Sequence, residues 1–332
     1  MLIVGSAAAQ KGEKGQGYIK AGELALHSEI LIPVLIVQGT GDGPVLWLNG
    51  AVHGDELNGF MATRRVAETT DPKELKGALI CTPLSNPLAV QWRNKVGPYD
   101  LLDMDQQFPG DPGGLVSQQI AHHLFREIKE KANYLINFHT AGAYYYAPPY
   151  TVFKKVPGVK PEANERTEAF VKAFGLAVNC RVDLSSVKGE LPGNAAGALD
   201  VSCVLNGIPA FMAEVGSGGK FEEGNIAAAE RGIRNAMKYL GMIPGERELP
   251  KEPIVISQRS FLNSSRAGSW VTEAKAGTFI SKGQTIGRII DVFSEVEVIK
   301  AQTESYIIQE RVNPVVHAGD RMAFLGLKWE PF

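Results

Sequence analysis

An imidazole and a carboxylate, His53 and Glu56, directly follow an apolar segment of the chain. Residues 44–48 predict a buried strand, and residues 49–52 lead out of it. A histidine and a glutamate at this spacing can point the same way at the start of a helix. They are also ligand types that zinc takes in open catalytic sites. Most such pairs lie on helix surfaces, so a zinc site needs a third ligand and a general base as well.

Two further candidates stand where other apolar segments end. His139 closes residues 134–139, and Glu214 follows residues 209–213. Ligands bind outside the carboxyl ends of strands in open α/β sheets, so these side chains are expected to meet the first pair. His139 would complete a His₂Glu zinc set, with zinc lowering the pKa of its water and polarising the scissile carbonyl. Glu214 would take a proton from that water and pass it to the leaving amine. The bland alternative for Glu214 is a helix cap.

The surrounding pattern predicts an α/β domain over residues 1–245. Near-continuous apolar runs predict central strands that are covered on both faces. These strand segments are residues 30–38, 45–48, 78–83, 134–138, 177–182 and 210–213. Apolar residues recur at helical spacing over residues 116–128 and 226–240, and a third helix is predicted for Pro161–Phe174, before Gly175.

A polar stretch bounded by prolines, residues 244–250, predicts the boundary of a second domain over residues 246–332. From residue 254 onward, short β-branched runs separated by glycines predict an all-β module. A weak repeat between residues 277–284 and 313–320 resembles the paired halves of the barrel-sandwich lipoyl and biotinyl carriers. The turn at residues 291–295 lacks the lysine that carriers modify, so a structural or pocket-capping role is favoured.

Composition narrows the class of protein further. The chain has 332 residues, 44% hydrophobic and 21% charged, which is ordinary for a soluble globular protein. A net charge of -2 gives no electrostatic footprint for nucleic acid, and no apolar run approaches a membrane span. The three cysteines are widely spaced, which predicts buried, reduced thiols and a cytoplasmic location.

Residues 32–242 resemble the succinylglutamate desuccinylase and aspartoacylase family, a branch of the zinc carboxypeptidase clan. Several motifs of the chain occur in the order found in that family. They are residues 49–59, Asn86-Pro87 with Arg93, 108–110, 137–140 and 214–216. The resemblance implies a mixed central sheet with helices on both faces, and one zinc ion per chain bound by His53, Glu56 and His139. It implies that Glu214 is the general acid and base. Arg93, otherwise a surface cation, would polarise the carbonyl and stabilise the oxyanion.

The chain departs from this family at one substrate-binding position. The family has an Asn-Arg pair before its Phe-Pro-Gly segment, and that pair grips the substrate carboxylate. Here Asp105 and Gln106 occupy the two places. A neutral amide beside an anion binds carboxylate poorly. The substrate is therefore predicted to be neutral or cationic at this point, as in an amide, an ester or an amine-bearing compound.

A tyrosine-rich segment follows His139. Residues 141–150 carry four tyrosines, Tyr144 among them, together with two prolines. The segment either lines the pocket with aromatic faces and hydroxyls or is a surface loop stiffened by its prolines. Tyr144 is taken as a candidate substrate contact.

Together these residues predict a cytoplasmic zinc-dependent deacylase. It would cleave the amide bond of a small N-acylated amino acid or related compound with zinc-bound hydroxide and a glutamate base. Two alternatives stay open: a non-catalytic zinc- or small-molecule-binding member of the same fold, and a zinc carboxypeptidase-like peptidase. The expected partner is a small-molecule substrate, with no nucleic acid and no membrane. The acyl group, the amine and any homo-oligomeric state stay open.

Overall fold

The computed structural model describes residues 1–185 and 194–332. Its helices are α1 (Asn58–Thr69), α2 (Pro87–Trp92), α3 (Val116–Lys131), α4 (Pro161–Phe174), α5 (Leu199–Leu205) and α6 (Glu223–Tyr239). Its strands are β1 (Leu2–Val4), β2 (Ala7–Ala9), β3 (Glu13–Glu23), β4 (Glu29–Gln38), β5 (Gly41–Asn49), β6 (Lys76–Thr82), β7 (Tyr134–His139), β8 (Tyr145–Tyr146), β9 (Tyr150–Lys155), β10 (Val178–Asp183), β11 (Ala210–Glu214), β12 (Ile254–Asn263), β13 (Gly268–Thr272), β14 (Phe279–Ile280), β15 (Thr285–Ile290), β16 (Glu295–Lys300), β17 (Ser305–Arg311), β18 (Val315–Val316) and β19 (Arg321–Pro331). Among these described helices, none has the length and apolar character needed to cross a membrane.

A mixed sheet of 13 strands forms the centre of the fold. Its main path runs β14-β17-β19-β12-β10-β9-β11-β7-β5-β6-β4-β3, and β8 pairs with β17 off this path. Strands β6, β5, β7 and β11 are parallel to their neighbours in that series, whereas β9 is antiparallel to β11. All six predicted strand segments lie in this sheet. The prediction of an α/β fold with a mixed sheet is therefore confirmed.

Helices cover both faces of the sheet, as expected. On one face, Ile120 and Leu124 of α3 pack in a core with Trp47 and Leu135 from the sheet. On the other face, Phe170 of α4 belongs to a core that includes side chains of α1, α6, β7 and β11. Helix α4 has the predicted bounds because proline begins it and Gly175, with φ of 80°, ends it in a left-handed cap.

Helix α1 begins later than the first motif suggested. His53 and Glu56 lie in a turn before the helix, so their expected place at a helix start was wrong. The backbone N–H of Glu56 donates to the His53 carbonyl over 3.3 Å, which closes the turn. The helix then starts tightly against β7: a Cβ at Gly59 would lie 2.2 Å from the Cβ of Phe138. This close approach places the turn beside the end of β7.

Residues 254–331 form strands β12 to β19 and no helix, which confirms the all-β prediction. Strand β12 pairs in parallel with β10 and antiparallel with β19, so the central sheet continues into this region. Strands β13, β15, β16 and β18 form a separate four-stranded sheet. A core around Trp270, Ile289 and Ile307 packs the C-terminal strands together. The division of the chain at residue 245 stays a prediction.

Candidate metal centre and active site

The three candidate metal ligands come together in the structure. His53, Glu56 and His139 are buried, and their ligand atoms all lie within 4.8 Å of one another. Oε1 of Glu56 lies 2.9 Å from Nδ1 of His53, and Oε2 lies 3.1 Å from Nδ1 of His139. Two imidazoles thus turn the same nitrogen toward one carboxylate. This donor set fits zinc, which binds imidazole nitrogen and carboxylate oxygen in open sites.

The second ring nitrogen of each histidine has a partner too. Nε2 of His53 lies 2.9 Å from Oδ1 of Asp103. Nε2 of His139 lies 2.8 Å from Nδ2 of Asn137 and 3.8 Å from Oδ2 of Asp105. Such partners fix the orientation of metal-binding imidazoles. Sequence reasoning missed Asp103, because its partner His53 is 50 residues away and no local pattern links them.

A buried amide network fixes the strand end that carries His139. Asn49 and Thr82 end β5 and β6, Asn137 lies two residues before the end of β7, and all three are buried. The Asn49 amide donates to Oδ1 of Asn137 over 2.8 Å, and the Thr82 hydroxyl donates to Oδ1 of Asn49 over 2.9 Å. Asn137 also donates to Oδ1 of Asp105 over 3.0 Å. Buried polar groups satisfied in this way hold one rigid arrangement.

Charges in the centre shift the pKa values of its histidines upward. Burial lowers the pKa of His53, but the Glu56 and Asp103 carboxylates outweigh it and raise the pKa well above its usual value. Burial also opposes the charged form of His139, and Asp105 and Glu56 raise its pKa overall. The two imidazoles in turn hold the pKa of Glu56 far below its usual range, against the effect of burial. The neighbouring carboxylates therefore favour the protonated imidazoles, and a metal ion would compete with these protons for the ring nitrogens.

Glu214 stands beside this centre at the end of β11. It is paired in register with His139 of β7 and with Tyr150 of β9. Its Oε2 atom is enclosed and has no hydrogen-bond partner among the residues that the structure describes. Burial and, to a smaller degree, the Glu56 carboxylate raise the pKa of Glu214 to about 8, although His139 opposes the shift. A carboxyl group with a pKa near neutrality suits proton transfer in both directions.

Hydrogen bonds tie the Glu56 turn to both strands that carry the other groups. The backbone N–H of Thr140 donates to Oε2 of Glu56 over 3.0 Å. Asn58 donates to the Val215 carbonyl over 2.7 Å, and its Oδ1 accepts from the backbone N–H of Glu222 over 3.0 Å. The start of α1 is thereby held to the segment after Glu214. This bracing keeps Glu214 and the candidate metal ligands at fixed separations.

Arg93 lies at the C-terminal end of the short helix α2, with a left-handed φ of 56°. Asn86 caps the start of this helix by accepting from the Ala89 N–H over 3.2 Å, and it donates to the Val52 carbonyl over 3.2 Å. The Arg93 side chain is exposed and lines the same cavity as the metal ligands. Its part in substrate binding stays a prediction.

Asp105 and Gln106 also line the cavity, and hydrogen bonds within the protein already engage Oδ1 of Asp105 and both ends of the Gln106 amide. Besides the Asn137 amide, the Leu199 N–H donates to Oδ1 of Asp105 over 3.4 Å. Gln106 donates to Oδ2 of Asp103 over 3.0 Å and accepts from the Asn194 N–H over 2.8 Å. Whether either residue contacts substrate stays a prediction.

The three candidate metal ligands, Glu214 and Arg93 line the wall of a cavity of about 610 Å³. Residues 141–145 and Tyr150 line it, so the tyrosine-rich segment forms part of the pocket. Tyr144 is 57% exposed, which leaves much of its side chain in contact with solvent. Side chains from β12, β17 and β19 complete the wall: Arg259, Phe261, Gln309, Arg321, Ala323 and Phe324. The C-terminal strands therefore help to shape the pocket.

Comparison with known proteins identifies the family of the chain. The family model for the succinylglutamate desuccinylase/aspartoacylase catalytic domain matches residues 42–240. The chain belongs to this family. Its similarity to N-alpha-acetyl-L-2,4-diaminobutyric acid deacetylase from Halomonas elongata is 26% identity over 304 residues, 89% of this chain and 85% of that protein. The protein is therefore a deacylase, an enzyme that hydrolyses linear amides.

Solved structures share the fold over nearly the whole chain. A succinylglutamate desuccinylase/aspartoacylase from Rhodobacter sphaeroides has a TM-score of 0.83 at 26% identity, covering 96% of this chain and 95% of that one. The product-bound ectoine utilization protein EutE (DoeB) from Ruegeria pomeroyi has a TM-score of 0.84 at 23% identity, covering 97% and 98%. The similarity extends through the C-terminal strands as well as the catalytic region.

Proposed function

We propose that this deacylase is zinc-dependent and removes the acyl group from a small N-acylated amino acid that carries a second amine. The observation that carries the proposal is the convergence of His53, Glu56 and His139, with Glu214 in the same cavity wall. Two imidazoles and a carboxylate are a common ligand set of zinc hydrolases. Free, buried cysteines support a cytoplasmic location for the enzyme.

The zinc ion would be held by Nδ1 of both histidines and by the Glu56 carboxylate. It would polarise the amide carbonyl and lower the pKa of water. Asp103 keeps the His53 ring oriented for this task, and Asn137 with Asp105 flanks the far side of His139. These contacts favour a site that is organised before the substrate arrives.

Glu214 acts as the general base and general acid of the proposed reaction. It accepts a proton from water as the water oxygen forms its bond to the amide carbon. It then donates that proton to the leaving nitrogen as the carbon–nitrogen bond breaks, which yields a carboxylic acid and an amine. Burial raises the pKa of this carboxyl group toward neutrality, which supports the uptake and later release of one proton. Arg93 supplies a cation where negative charge develops on the carbonyl oxygen.

The second amine of the substrate is inferred from charge and from a relative. The curated relative from Halomonas elongata is a deacetylase of a diamino acid. Asp105 places a buried carboxyl group at the cavity wall where the family has asparagine, and Asp55 lines the same cavity. Oδ1 of Asp55 is enclosed without a hydrogen-bond partner in the described part of the chain. An ammonium group would satisfy such acceptors.

A hydrolysis assay tests the proposal. Zinc-loaded enzyme is given N-acetyl-2,4-diaminobutyric acid and, as a matched control, N-acetyl-2-aminobutyric acid, which lacks the second amine. We expect faster release of acetate from the diamino compound, loss of activity with a chelator and recovery on adding zinc. Equal rates on the two compounds would contradict the amine preference. Chelator-resistant activity would contradict the zinc dependence, and cleavage of peptides alone would favour the peptidase alternative.

A further inference from the structure

One cation on the cavity wall is held by an aromatic ring. Arg321, the first residue of β19, has its Cζ atom 3.9 Å from the centroid of the Phe261 ring. Phe261 in turn stacks on Phe324, with 4.5 Å between ring centroids and 22° between the planes. All three side chains line the cavity that contains the metal centre. A guanidinium stacked on a ring is fixed in place while the N–H groups at its edge stay available.

Arg321 differs from two other cations in the cavity wall, because no carboxylate of the described residues pairs with it. Nζ of Lys154 lies 2.7 Å from Oδ2 of Asp200, and Nζ of Lys95 lies 3.0 Å from Oδ2 of Asp103. Within residues 1–185 and 194–332, the Arg321 guanidinium has no ion pair and no hydrogen bond. Its donors are therefore free to bind an anion that enters the cavity.

The main chain of Arg321 is fixed to the segment that follows His139. Its carbonyl accepts a hydrogen bond from the Tyr145 hydroxyl over 3.4 Å and another from Nη1 of Arg311 over 3.3 Å. Arg311 also pairs with Asp320, its Nη2 lying 3.2 Å from Oδ2. The cation is thus held at a set place in the wall of the pocket.

We propose that Arg321, stacked on Phe261, binds the carboxylate of the substrate. The proposal rests on the function proposed above and adds the group that orients the substrate. The place of the usual arginine is taken by Gln106, whose amide is tied to Asp103 and Asn194. A planar guanidinium binds a carboxylate through two parallel hydrogen bonds. The C-terminal strands would therefore supply the cation that position 106 lacks. Asp105 would then contact the part of the substrate that carries the second amine.

The test compares the free acid with its carboxamide. Kinetics are measured for N-acetyl-2,4-diaminobutyric acid and for its carboxamide with wild type, Arg321→Met and Arg321→Lys. Arg266→Met is the control, since Arg266 is an exposed arginine of the same C-terminal region outside the cavity wall. We expect Arg321→Met to raise KM for the free acid about 10- to 100-fold, with kcat nearly unchanged and little change for the carboxamide. Arg321→Lys should recover part of the loss, because it keeps the charge without the planar pair of donors.

Two results would overturn the proposal: the same free-acid preference in wild type and Arg321→Met, or equal losses on both compounds. Calorimetric binding of the two compounds to zinc-loaded Glu214→Gln protein gives a readout without turnover. If wild type hydrolysed neither compound, the proposed function would fail, yet this binding comparison, repeated with Arg321→Met added, would still decide the subsite. Weaker binding of the free acid alone would support it, and unchanged binding would refute it.

Discussion

The substitution Asp103→Asn tests how the protein orients His53, one of the three proposed zinc ligands. Asp103 accepts from Nε2 of His53 over 2.9 Å and pairs with Lys95 over 3.0 Å. Asparagine is nearly isosteric but removes the charge, so the His53 ring loses a charge-assisted hydrogen bond. Such a bond contributes about 1.5–3 kcal/mol. At 1.4 kcal/mol per factor of ten, zinc affinity should fall about 10- to 100-fold, the range usual for carboxylates behind metal-binding histidines.

Competition with a chelator of known zinc affinity measures this change directly. The matched control is Asp42→Asn, since Asp42 also pairs with a lysine, Lys11, but is 95% exposed at the surface. The control should bind zinc as wild type does, because exposed ion pairs contribute little. Thermal denaturation of the metal-free proteins shows whether Asp103→Asn still folds. Zinc affinity within twofold of wild type, in a folded variant, would refute the reasoning.

Three further predictions follow from the same geometry. Because nearby carboxylates raise the pKa values of His53 and His139, protons compete with zinc for the site, so zinc affinity should fall as pH falls and zinc binding near pH 7 should release protons. Calorimetry in buffers of different ionisation enthalpy measures the proton release, and no release would contradict the prediction. Glu214→Gln should lower kcat about 10²- to 10⁴-fold at unchanged zinc content, because an amide cannot carry the proton; near-wild-type turnover would contradict the base assignment. Gly59→Ala should lower the free energy of unfolding by about 1–3 kcal/mol, and with it the melting temperature, because the added Cβ would overlap Phe138. The control is Gly224→Ala, where a Cβ meets nothing within 4 Å, and equal melting temperatures of the two variants would contradict the clash.

The sequence predicted the parts of the fold that local patterns encode. Apolar runs marked the central strands, and proline with glycine marked both ends of α4. Candidate residues at strand ends, His139 and Glu214, met because parallel strands β7 and β11 finish at the same sheet edge. In these cases the local sequence pattern is the physical cause of the structure, so the pattern predicts the structure.

Features that depend on residues far apart in the sequence could not be predicted from local patterns. Asp103 carries no local signal, and only the fold brings it to His53. Strand pairing has the same limit: nothing in residues 254–263 specifies that β12 joins β10 and extends the central sheet. The stacked cation Arg321 follows from that extension, since β19 pairs with β12 and places it over Phe261.

The most direct test of the central claim is the zinc content of the purified protein. Elemental analysis should find about one zinc ion per wild-type chain, and almost none in His53→Ala and His139→Ala variants that remain folded. These variants each remove one of the three ligands that meet within 4.8 Å. A zinc content that survives both substitutions unchanged would contradict the proposed metal centre.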